Sequence, residues 1–106
     1  MADRFESVIG RIQSLLTALN DGSGVAPRAR IESTLTEGYA AALALDGERL
    51  RLERRIEEVT AHVAEGGSLR VTELQQVMGR LEETEQDLAE LRDLLVRLKA
   101  RAAAAA

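Results

Sequence analysis

The only side chain that exchanges protons near neutral pH without special help is His62, the single histidine of the chain. Glu58 precedes it by four residues and Glu65 follows it by three. On a helix both carboxylates come within reach of the imidazole. Such a carboxylate can orient the ring for proton transfer or share a divalent cation with it. A metal centre needs three or four ligands, however, and the chain has no cysteine and no second histidine. A solvated histidine near a helix end is the plainer reading, and no metal or cofactor is expected.

Arg49 and Thr84 fall where a repeating apolar pattern calls for a hydrophobic residue. Facing each other near Gln86 and Asp87, they would form a buried polar layer of the kind that fixes helix register and oligomeric state. The cluster Arg49, Arg51, Arg54 and Arg55 could contact phosphates, but Glu48, Glu53, Glu57 and Glu58 interleave with it, which reads as a salt-bridged helix face. Gly22-Ser23-Gly24 and Gly66-Gly67-Ser68 resemble phosphate-cradling loops only superficially. Neither follows a strand or carries the Lys-Ser/Thr of a P-loop, so both read as turns. No serine or threonine has a histidine or lysine base at a useful spacing. The expectation is a protein that is not an enzyme, with no catalytic and no cofactor-binding residues.

The elements that carry these residues are helical. Phe5 and Tyr39 are the only aromatics, Pro27 the only proline, and charged residues make up 30% of the 106. Usage dominated by Ala, Leu, Glu and Arg in this rhythm is typical of long helices and coiled coils. A net charge of −4 argues against a nucleic-acid partner, which calls for a basic surface. No apolar run approaches the ~18 residues of a membrane span, and the first six residues lack the form of a signal peptide. A cytoplasmic location without membrane association is the default expectation.

Asp3 followed by Glu6 has the form of a helix start, and Phe5, Val8, Ile9, Ile12, Leu15, Leu16 and Leu19 make one stripe. A first helix is expected at about 4–19, ending at Asn20-Asp21-Gly22, with a connector over 20–26. Pro27 suits the first turn of a second helix at about 27–64. Its seam runs Ile31, Leu35, Gly38, Ala42, Leu45, Arg49, Leu52, Ile56, Val59, Val63 in strict four-three alternation. After a turn at 65–71, Thr72 and Gln75 fit a capping box, with Ser68 as an alternative start. The third helix, about 72–102, repeats the rhythm from Leu74 to Ala102, and Ala103 to Ala106 form an alanine tail.

The fold expected is all-α and a single domain, a short N-terminal helix followed by a long antiparallel helical hairpin. A turn centred between residues 67 and 68 makes facing residues sum to about 135. That register sets the arginines of 49–55 beside Glu82, Glu83, Glu85 and Asp87, and the small residues of 39–44 opposite Leu91 to Leu98.

Apolar residues also lie beyond the narrow seam: Tyr39, Leu43 and Leu50 on the second helix, and Val71, Met78, Leu94 and Val96 on the third. A first helix of about four turns covers only part of a hairpin on the order of 50 Å long. The remaining apolar surface points to a homodimer assembled as a helical bundle. The protein-interaction residues expected are Phe5, Ile9, Ile12, Leu16, Tyr39, Leu43, Leu50, Met78 and Leu94. The functional expectation is a homo-oligomeric structural or adaptor subunit that binds a protein partner. The alternative is a regulator that inserts its hairpin tip into a larger machine, by analogy of shape with coiled-coil factors that enter the RNA polymerase secondary channel. Those factors carry paired acidic residues at the tip, where this chain offers Glu65 with Glu73 a turn or two away.

Overall fold

A computed structural model describes residues 2–21, 28–67 and 70–105. Three α-helices account for nearly all of them: α1 (Ala2–Asp21), α2 (Arg28–Ala64) and α3 (Val71–Ala105). No strand occurs among the described residues. The architecture is all-α, with α2 and α3 forming a long antiparallel hairpin. The α1 and α3 helices extend slightly past their expected limits, α2 ends at the expected Ala64, and α3 runs through the alanine tail to Ala105. The connector 22–27, including Pro27, and the alternative start Ser68 lie outside the described residues, as does the Asp3 side chain.

The chain divides into two compact units, one of residues 1–43 with 89–106, the other of residues 44–88. In the first, α1 lies against the beginning of α2 and the end of α3. Val8, Ile9, Ile12, Leu15 and Leu16 of α1 are buried, together with Ile31 and Ala41 of α2 and Leu91, Leu94, Leu95 and Leu98 of α3. Ile12, Leu91 and Leu98 are closed off from solvent altogether. Three helices each presenting an apolar stripe can surround a shared core, so this end of the seam is dry. Gly38 is what lets them approach. A Cβ there would overlap Leu95 Cδ2 and stand 3.5 Å from Ile12 Cδ1. Arg11 of α1 donates to Glu37 of α2 beside this contact.

The second unit is a two-helix hairpin, and its seam is correspondingly wetter. Leu52, Val59 and Leu88 are buried, while Ile56, Leu74, Val77 and Leu81 are half-buried and Val63 is exposed. The tip closes with a Schellman motif. Gly66 takes φ +94°, its amide donates to the Val63 carbonyl at 3.0 Å, and the Gly67 amide donates to the His62 carbonyl at 2.9 Å. Glycine is needed at residue 66 because an L side chain is strained in that left-handed backbone. The α3 helix restarts at Val71, with the Arg70 carbonyl accepting from the Leu74 amide at 2.9 Å. Thr72 therefore lies inside the helix, and the Thr72–Gln75 capping box is not its start.

Candidate interaction surface

The expected interaction residues fall into two groups. Ile9, Ile12, Leu16 and Leu94 belong to the core of the first unit, and Phe5 is half-buried. Leu94 was expected on the outside because it lies off the α2–α3 seam; α1 covers it, and Leu16 and Leu94 together floor a shallow groove between α1 and α3. The rim of that groove is polar, with Gln13, Thr17, Asn20 and Arg97, and Arg97 pairs with Asp93 at 3.2 Å. The other four residues remain in water: Tyr39 is 49% exposed, Leu43 74%, Leu50 48% and Met78 54%. Val71 and Val96 join them, at 48% and 67%. Both of these valines depart from the four-three seam, and that departure was the signal for their exposure.

The expected polar layer is arranged differently from the sequence reading. Arg49 and Thr84 are half-buried, and Arg49 pairs within its own helix. Its Nη2 donates to Asp46 Oδ1 at 2.9 Å and its Nη1 to Glu53 Oε1 at 2.8 Å. The hydrogen bond to Asp46 and the charge of Glu53 raise its pKa above the ordinary arginine value. A turn of helix brings these carboxylates to Arg49 whatever the neighbouring helix does, so the local partners win.

The same competition decides Arg51 and, in part, Arg55. Arg51 donates to Glu48 at 2.8 Å, and Arg55 donates to Glu58 at 3.1 Å and to Glu73. Arg55–Glu73 and Arg80–Glu48 pair across the hairpin, where the expected register matches residues 49–55 with Glu82 to Asp87. Each reaches a position on α3 seven residues closer to the tip than the expected register. In the first unit Gly38 meets Leu95, two residues from the expected 97. The acidic stretch of α3 is thereby left without compensation. Among the described residues, no ion pair engages Glu82, Glu83 or Glu85. Burial and then the charge of Glu83 hold the Asp87 carboxyl above its ordinary range.

Beside the tip, an open recess of about 210 Å³ is lined by Arg55, Glu58, Val59, His62 and Arg70. The His62 ring lies against Gly67, leaving no room there for a Cβ. Glu73 accepts from Arg55 and, at 3.3 Å, from Arg70. The Arg55 hydrogen bond, with help from Arg70, lowers the Glu73 carboxyl below its usual value although partial desolvation opposes the shift. The recess is thus an ion-paired closure whose guanidinium groups already hold carboxylates. No group of three metal-ligating side chains occurs among the described residues, and no described helix is long and apolar enough to cross a membrane. No family model, characterised protein or solved structure matches the chain.

Proposed function

We propose that this chain is a non-catalytic interaction protein of the cytoplasm, a homo-oligomeric structural or adaptor subunit that engages a protein partner through its hairpin helices. The observation that carries this reading is the contrast at Tyr39 and Leu43. The unit that contains them is closed around Ile12, Leu91 and Leu98, yet a tyrosine and a leucine four residues apart on α2 stay 49% and 74% exposed. Residues four apart on a helix share a face, and exposed apolar residues that adjoin one another mark contact surfaces more often than isolated ones do. The absence of cysteine agrees with a reducing compartment.

Sedimentation velocity from about 1 to 100 μM tests self-association. A dimer that dissociates when Leu43→Ser or Tyr39→Ser is introduced, with helicity unchanged by circular dichroism, supports the reading. A wild-type monomer across that range, with mutated and unmutated chains indistinguishable, overturns the homo-oligomeric part.

A further inference from the structure

The unit of residues 44–88 has one long flank tied and one open. Glu48–Arg80 and Arg55–Glu73 bind the two helices along the tied flank. Leu50 follows Glu48 by two residues and Met78 precedes Arg80 by two. Two residues turn a helix by about 200°, so both side chains fall away from the tied flank. They are 48% and 54% exposed, and Val71, two turns before Met78, is 48% exposed. This is an apolar strip about half open to solvent.

Its border is acidic. Asp46, Glu53 and Glu57 stand four before, three after and seven after Leu50, on the same side of α2. Glu82 and Glu85 stand four and seven after Met78 on α3. Arg49 is shared by Asp46 and Glu53, and Arg54 stands four residues after Leu50. Glu57, Glu82 and Glu85 have no ion-pair partner among the described residues. A second copy docking by this same flank would double the excess of carboxylates across a partly desolvated contact, which disfavours it.

We infer that the open flank of residues 44–88 is the docking surface for a basic amphipathic helix of a partner protein. Apolar residues of that helix cover Leu50, Met78 and Val71, and its lysines or arginines meet Glu57, Glu82 and Glu85. The inference rests on the reading of the chain as an interaction protein and adds the chemistry of the partner.

The test uses the full chain and a fluorescein-labelled 18-residue amphipathic peptide of leucine and lysine, with a leucine–glutamate peptide of the same pattern as its mirror. Binding is read by anisotropy at about 50 and 300 mM salt. The expected result is saturable binding of the lysine peptide, at least tenfold weaker for its mirror and weakened by salt. Glu82→Lys with Glu85→Lys, and separately Leu50→Ser with Met78→Ser, should each weaken binding about fivefold or more, with helicity retained. Glu6→Lys on α1 should leave it unchanged.

Equal binding by the flank variants, equal binding of both peptides, or no binding at about 100 μM peptide overturns the inference. So does a wild-type oligomer that Leu50→Ser dissociates, since a second copy would then occupy the strip. A chain that self-associates through Leu43 but ignores the peptide overturns the flank alone. One that neither self-associates nor binds overturns both readings.

Discussion

Replacing Gly38 by alanine sets two opposed effects of known size against each other. Alanine in a helix interior is favoured over glycine by about 0.5–1 kcal/mol, mostly through the unfolded chain. At Gly38 the new methyl would overlap Leu95 Cδ2 and stand 3.4 Å from Leu95 Cγ. Leu95 is only 3% exposed, so its far end has no solvent to swing into. Overpacking of this kind costs about 1–3 kcal/mol. The net expectation for Gly38→Ala is a loss of about 1 kcal/mol. Gly79 supplies the internal control, because a Cβ there meets nothing within 4 Å. Gly79→Ala should therefore gain about 0.5–1 kcal/mol. Thermal unfolding followed by circular dichroism separates the two, at about 4–8 °C per kcal/mol for a chain near this size. Combining Gly38→Ala with Leu95→Ala should cost about 1 kcal/mol less than the sum of the single changes, since the added methyl then enters vacated space. A Gly38→Ala chain that melts as high as Gly79→Ala would refute the close-approach account.

The remaining predictions concern the tip, the core and pH. Gly66→Ala places a side chain at φ +94° and should cost about 1–2 kcal/mol by urea denaturation, with Gly66→Asn milder. Leu91→Ala, at a fully buried position, should cost about 2–5 kcal/mol, whereas Leu43→Ala should stay within ~0.5 kcal/mol at concentrations low enough to keep the chain dissociated. Asp87 has a raised folded-state pKa, so the wild type loses stability as pH rises from about the unperturbed 3.8 through that higher value. Asp87→Asn should melt higher at pH 7, and the gain should vanish below the unperturbed pKa. Glu73 has the opposite sign: its lowered pKa stabilises the fold above the ordinary glutamate value and is lost as pH falls through the folded one. Glu73→Gln should melt lower at pH 7 and converge with the wild type in acid.

Helix positions and the tip were legible because they depend on local signals. The four-three repeat, the glycine pair at 66–67 and the breaks around it each rest on residues a few positions apart. Burial of Leu94 was not legible, because it depends on where α1 lies in space, and α1 is 73 or more residues away in sequence. The same gap explains Ile9, Ile12 and Leu16, whose apolar stripe looks identical whether it faces the chain's own hairpin or a partner. Arg49 is half-buried at its seam position, and its partners Asp46 and Glu53 stand one turn away on its own helix, not across the hairpin.

The local pairing of Arg49 bears on the candidate surface. An ion pair between residues three or four apart in one helix is available as soon as the helix forms, whereas a cross-helix pair must wait for packing and depends on its exact spacing. The arginines of 49–55 are interleaved with acids at those local spacings, and Arg49, Arg51 and Arg55 all use them. Residues 82–87 contain four acids, and no Lys or Arg occurs between Arg80 and Arg92. Arg80 sits three before Glu83 but is drawn to Glu48. Local pairing thus occupies Arg49 and Arg51 of α2, and among the described residues Glu82, Glu83 and Glu85 of α3 face water without a cation. A chain whose formal charge is only −4 concentrates negative charge on one flank in this way, and that flank also carries the exposed Leu50 and Met78. Apolar exposure alone would suit many partners, and charge alone would attract cations without specificity. Their coincidence at Leu50, Met78, Glu82 and Glu85 is what restricts the partner to a helix both basic and amphipathic.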